Sequence, residues 1–206
     1  MNLKERFSEN GLQFTQDQKL VEKLWSEIEI NYSQKGRHYH NLEHLESMFS
    51  ELDEVKDKIS NYPNISFSVF YHDVIYDASS KSNEEKSADF AKVRLRELNI
   101  NEIDISEIYR QILATKAHLS SNDIDVDYLL DADLSILGKD LETYMDYTKK
   151  IRKEYSIYPD LLYKPGRRKV LKHFLAMEKI FKTDYFREKY EEQAKKNIEW
   201  EIGKFL

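Results

Sequence analysis

The chain has 206 residues, 40% of them apolar and 13% aromatic, enough for one well-buried domain and too apolar for a disordered tail. Its net charge of −6 argues against a nucleic-acid polymer as partner, and the absence of cysteine excludes disulfides, thiolate nucleophiles and cysteine-based zinc sites. Only five glycines and three prolines punctuate it, which favours long helices over short strands joined by tight turns.

The opening MNLKERFSENG has no apolar run and is not read as a secretory signal. No stretch approaches the roughly 20 apolar residues of a membrane span. A soluble, cytoplasmic protein is therefore expected. Thr15-Gln16-Asp17-Gln18 reads as a capping box for a helix whose stripe is Leu20, Val21, Leu24, Trp25 and Ile28. The pattern repeats over residues 41–59, through Leu42, Leu45, Phe49, Leu52 and Val55. Asn61-Tyr62-Pro63-Asn64 is a break. The apolar run 65–75 has strand-like composition, but its length and helical neighbours favour a buried helix. A polar loop at 79–82 leads to a helix capped by Ser82 or Asn83 and ending near Leu98. Further helices are predicted over about 106–116 and 127–137, with Gly138 as a helix C-terminal glycine. A tyrosine-rich helix follows at 141–155, then a turn around Pro159, a loop at 163–166, and two last helices at 167–181 and 186–202. There is no internal repeat and no linker. The prediction is all-α: a single-domain helical bundle over 1–206, with its core at about 20–140 and the C-terminal helices 141–206 packed on it.

Three stretches carry chemistry. In RHYHNLEH (37–44), His40 and His44 are four apart and share a helix face, which by itself fits an ordinary polar surface. In FYHDVIYD (70–77), His72-Asp73 closes an apolar stretch, and a buried imidazole and carboxylate must be paired, hydrogen-bonded or metal-bound. In LLDADLSIL (129–137), Asp131 and Asp133 again lie among apolar residues. Their spacing of two puts them on different faces, so only one faces a given site. Together these stretches offer two imidazoles and two carboxylates from three helices, a set that suits Mn, Fe, Co, Zn or Mg.

The ordered series His44, His72-Asp73, Asp133 resembles the H…HD…D signature of the HD superfamily of metal-dependent phosphohydrolases. Residues 39–44, YHNLEH, resemble the YHNxxH segment of the helical cyclic-nucleotide phosphodiesterases. Through HDVIYD, NEEKSA (83–88), LDADLSILG and R-x-E-Y (152–155), the chain is similar over roughly residues 20 to 200 to a bacterial group of predicted HD phosphohydrolases.

That resemblance implies an HD-type bundle and one divalent ion (Mn, Fe, Co, Mg, Ni or Zn) ligated by His44, His72, Asp73 and Asp133, with Asp131 as rival for the last place and a second ion left open. It implies His40 as proton donor to the leaving group, the alternative being a ligand or supporting role. Asp77 and Glu84 match acidic residues that position water in related hydrolases, although Glu84 can equally serve a helix N-terminus. His118 matches a histidine that binds phosphate, positions water or supports a second metal; a solvent-facing helix end is the alternative. Lys116 is a phosphate contact or an ordinary surface lysine. From side-chain chemistry alone, Arg152, Arg167 and Arg168 are phosphate candidates, because guanidinium forks bind phosphate oxygens in pairs. Tyr144, Tyr147, Tyr155 and Tyr158 form core or a base-binding pocket. His38 and His173 are read as bystanders. The implied function is metal-dependent hydrolysis of a small phosphate ester, a nucleotide or related metabolite, with neither a nucleic-acid polymer nor a membrane expected as partner. The alternatives are an HD-type diiron oxygenase, which needs about six protein ligands, and a non-catalytic HD module that binds a nucleotide or regulates.

Overall fold

The computed structural model describes residues 1–205, which form ten α-helices and no strand: α1 (Leu3–Gly11), α2 (Gln18–Tyr32), α3 (Leu42–Asp53), α4 (Tyr62–Tyr71), α5 (Asn83–Glu97), α6 (Glu102–Ala114), α7 (Ile124–Leu134), α8 (Leu141–Glu154), α9 (Asp160–Ala176) and α10 (Asp184–Gly203). Short 3₁₀ turns cover Lys56–Lys58 and Ser135–Gly138. Among the described residues no helix is long and apolar enough to cross a membrane.

The architecture is organised around α4. Every residue from Asn64 to Tyr71 is buried, so this helix has no solvent-facing side and must sit at the centre of the bundle. Helices α1, α3, α5, α6 and α7 all pack on it. Asn61 caps its start and Pro63 stands in its first turn, where a missing N–H costs nothing. The predicted break is therefore a helix start, and the predicted buried helix is present from Tyr62 onward. Helix α7 is nearly as enclosed, with Asp125 to Ala132 all buried. Side chains from Leu3 to Ile198 join one continuous hydrophobic cluster.

Several boundaries differ from the predicted ones. Helix α1 has no counterpart in the sequence reading, yet Phe7 is fully buried against Trp25, Phe67 and Phe70. Asp17, not Thr15, caps α2, its carboxylate accepting the Leu20 N–H at 3.0 Å. Helix α3 ends at Asp53, and the remainder of the predicted segment is a 3₁₀ turn. Gly138 is not a left-handed cap. It closes a 3₁₀ turn against α10, where an added Cβ would lie 2.7 Å from the carbonyl oxygen and 2.9 Å from the Cα of Tyr190. The predicted loop at 163–166 lies inside α9, with Pro165 as a helical residue. The carbonyl that loses its donor there belongs to Leu161, which is 84% exposed and open to water, and the packing of Tyr163 and Leu171 holds the helix through the proline.

Candidate metal centre

The site forms where the start of α3 meets the ends of α4 and α7. Asn41 caps α3, its side-chain oxygen accepting the N–H groups of Glu43 and His44, which fixes His44 in the first turn with only 4% of its surface exposed. His72 directly follows α4. Its Nδ1 lies 2.9 Å from the Val69 carbonyl and donates to it, so a neutral ring carries its lone pair on Nε2. Asp133 stands in the last turn of α7, the one residue between Asp125 and Leu134 that is not fully enclosed.

The donor atoms converge. Nε2 of His44 lies 3.3 Å from Nε2 of His72 and 3.2 Å from Oδ1 of Asp133; His72 Nε2 and that oxygen are 4.0 Å apart. Ligands held about 2.1 Å from one ion stand roughly 3.0 Å apart when adjacent and roughly 4.2 Å when opposite. The buried His44–His72–Asp133 group can therefore hold a metal ion. Asp73 borders it, with Oδ2 3.3 Å from His72 Nε2. The anchored Nδ1 of His72 is the kind of outer support that orients metal-binding imidazoles.

Electrostatics separate the four groups. Burial pulls His72 down, but the charge of Asp73 and its hydrogen bond outweigh this and lift the imidazole to about 9. Burial pushes Asp73 up, yet the facing His72 and His40 hold its carboxyl far below the usual range. Asp133 is likewise held well below it, against burial, by hydrogen bonds with His118 and His44. His44 is lowered, chiefly by burial.

His40 stands beside the group rather than in it. Its Nδ1 lies 2.6 Å from Oε2 of Glu154, and its Nε2 faces Oδ2 of Asp73 at 3.9 Å. Glu154, the last residue of α8, also accepts the backbone N–H groups of His38, Tyr39 and His40 at 2.7–2.9 Å through Oε1, and the Tyr76 hydroxyl through Oε2. Burial would raise Glu154, but His40 and these N–H donors bring it down to about 2. The His40 ring is lowered by burial and raised by Glu154 and Asp73, with a net rise. It stacks on Tyr76 at 4.4 Å. Arg37 ties the two motifs together, donating to the carbonyls of His40, Asp73 and Val74.

His118 joins from the opposite side. It adopts a left-handed backbone (φ +50°), unusual for a residue other than glycine, and its Nε2 lies 2.8 Å from Oδ2 of Asp133. Asp133 thus offers one oxygen to the imidazole pair and the other to His118.

The remaining candidates lie elsewhere. The Asp131 carboxylate is spent on Lys182 and Thr183 in the α9–α10 connection, 2.8 Å from each N–H, so it is not directed at the histidines. Asp77 is exposed and bonds Ser79 within its own loop. Glu84 lies 3.8 Å from Lys116, which pairs more closely with Glu85. Lys116 is therefore already neutralised. Arg152 is bound by Asp160 and by the carbonyls of Tyr155 and Tyr158, and Arg167 by Glu201 through two nitrogens, so neither fork is free for phosphate. Tyr144 and Tyr147 are core residues bonded to Glu201 and Arg167, although Tyr147 also packs 4.7 Å from Tyr39 beside the site. His38 and His173 are exposed. Sequence reasoning missed Glu154. It stands in the R-x-E-Y motif two residues after Arg152.

Comparison of the chain with family models, with curated proteins and with solved structures gives no match.

Proposed function

We propose that the chain is a divalent-metal-dependent phosphohydrolase acting on a small phosphate ester of nucleotide-like class. One observation carries the reading: an imidazole that is not part of the ligand group, His40, is held by a buried carboxylate with its free nitrogen facing Asp73. His44, His72, Asp73 and Asp133 would hold the ion. A divalent ion in such a setting polarises a phosphoryl group and acidifies water.

The chain's own residues account for the proton. Glu154 engages Nδ1 of His40, so the proton available for transfer is the one on Nε2, on the side of Asp73. The two carboxylates keep that proton in place at a pH where a free imidazole would begin to lose it. His40 can then protonate a departing ester oxygen and recover its proton afterwards. Three backbone N–H bonds and the Arg37 clamp fix the loop, so the ring reaches the site without a rearrangement.

The test is hydrolysis, read as phosphate release from mononucleotides and sugar phosphates and as nucleoside monophosphate formed from cyclic nucleotides, with Mn, Fe, Co, Mg, Ni or Zn supplied in turn. Turnover with at least one ion is expected, abolished by His72→Ala/Asp73→Ala and lowered about 10²–10⁴-fold by His40→Ala. Metal-loaded protein inert across the panel would refute the reading. Two tightly bound irons per chain would favour the oxygenase instead.

A further inference from the structure

Helix α9 has two unlike faces. Tyr163 and Phe174 turn inward, their rings 6.0 Å from Tyr155 and 6.3 Å from His118, and Arg167 bonds Glu201 beside them. The other face carries Lys164, Arg168, Lys169 and Lys172. With Pro165 and Phe205 these line a surface groove of about 380 Å³. No acidic residue lines it among the described residues, although the chain as a whole carries a charge of −6. None of the residues of the histidine cluster lines it either.

Two features set this face apart from the rest of the surface. The first is spacing. Lys164, Arg168 and Lys172 recur every four residues, which stacks three like charges along one stripe of the helix, an arrangement that mildly disfavours the helix and that a bound anion would relieve. Lys164 has Asp160 at 3.2 Å, whereas Arg168, Lys169 and Lys172 form no ion pair among the described residues. The neighbouring Arg152 and Arg167, by contrast, each have a carboxylate. The second is a missing acceptor. Among the described residues Arg168 makes no hydrogen bond: its Nε is buried without a partner, which leaves the terminal guanidinium nitrogens as the donors that an acceptor in the groove can meet.

Both features call for an anion with several oxygens. A single carboxylate would satisfy the Arg168 fork and leave the ammonium groups unmet, whereas linked phosphates supply oxygens to the fork and charge to the lysines together. Phe205 adds an apolar wall for an organic portion. The geometry points to a binding site in this groove for a small polyphosphate-bearing ligand, held by Arg168 and Lys172 with Lys164 and Lys169 beside them, separate from the candidate metal centre. It does not depend on the proposed activity.

The probe is inorganic pyrophosphate, titrated calorimetrically into the whole chain after metal has been stripped and the chelator dialysed away. Saturable one-to-one binding is expected, weakened at least tenfold by Arg168→Ala/Lys172→Ala and unchanged within twofold by His72→Ala. Arg168→Lys, which keeps the charge but loses the fork, should weaken it several-fold. Pyrophosphate should also raise the Tm of the unaltered chain and not that of the double variant, whose own Tm should be no lower because repulsion has been removed. Absence of saturable binding overturns the site. So does equal loss in Lys4→Ala/Lys35→Ala, which would mean diffuse charge, or loss in His72→Ala, which would place the anion at the histidines.

Discussion

Glu154 sets what His40 can do. Its carboxylate lies against Nδ1 and is the largest influence raising that imidazole against the cost of burial. Glu154→Gln removes the charge while leaving an oxygen for the backbone N–H groups, so the His40 pKa should fall, as read by NMR titration of its ring protons. An unchanged or higher value would show that Asp73 alone governs the ring. Glu154→Ala goes further and strands three N–H donors, which should cost about 2–4 kcal/mol of stability in denaturant unfolding. The metal group makes a second residue-scale prediction. His72 is lifted to about 9, so at neutral pH the empty site carries a proton that an incoming ion must displace, while His44, lowered by burial, carries none. Metal affinity should therefore fall about tenfold for each pH unit below about 9, and binding near pH 7 should release about one proton per ion in calorimetry with buffers of different ionisation enthalpy. Binding without proton release would contradict the His72 assignment. At this scale His44, His72 and Asp133 were legible through the ordered H…HD…D pattern; the rule that buried charges need partners left Asp131 and Asp133 open, and Asp131 is the more buried of the two. Glu154 was not legible. It lies 114 positions from His40, and nothing local marks a glutamate that completes a loop from another helix.

At the scale of elements, the strongest apolar patterns were read correctly, and the errors fell where packing outweighs local preference. Helix α9 is the clearest case. Proline and glycine at 165 and 166 cost an isolated helix about 3 and 1 kcal/mol, yet the buried Tyr163, Leu171 and Arg167 contacts hold the turn. Helix α1 was missed for the opposite reason: it is short and polar, and Leu3 and Phe7 are the two large apolar side chains it buries. Gly138 was noticed for the wrong property. Its requirement is space, not a left-handed backbone, and the space is set by Tyr190 on a helix more than fifty residues later. Gly138→Ala should therefore destabilise by about 2–3 kcal/mol although its backbone is one alanine adopts, lowering Tm by roughly 4–12 °C. Gly36, with φ +104° and open space around it, makes the contrast: an added Cβ there meets only backbone strain.

Across the whole molecule, the candidate metal centre is a junction rather than a local motif. Its ligands come from the start of α3, the end of α4 and the last turn of α7, three helices that pack on one another in the core. Their order along the chain was legible; their meeting point was not, because it depends on how α4 threads the bundle. An ion bound to all three ties the folded state and has no equivalent set in the unfolded chain, so binding adds directly to stability. At a hundredfold excess over Kd the gain is about 2.7 kcal/mol, which for a chain of this length corresponds to a rise in Tm of roughly 5–10 °C. Adding a chelator should reverse it. Asp133→Ala should abolish the shift, read as the difference between that variant's own Tm with and without metal, because the change removes the carboxylate oxygen that faces the two imidazoles. If the rise persists in Asp133→Ala, the stabilising ion sits elsewhere, and scanning calorimetry with and without chelator on the two proteins separates these outcomes.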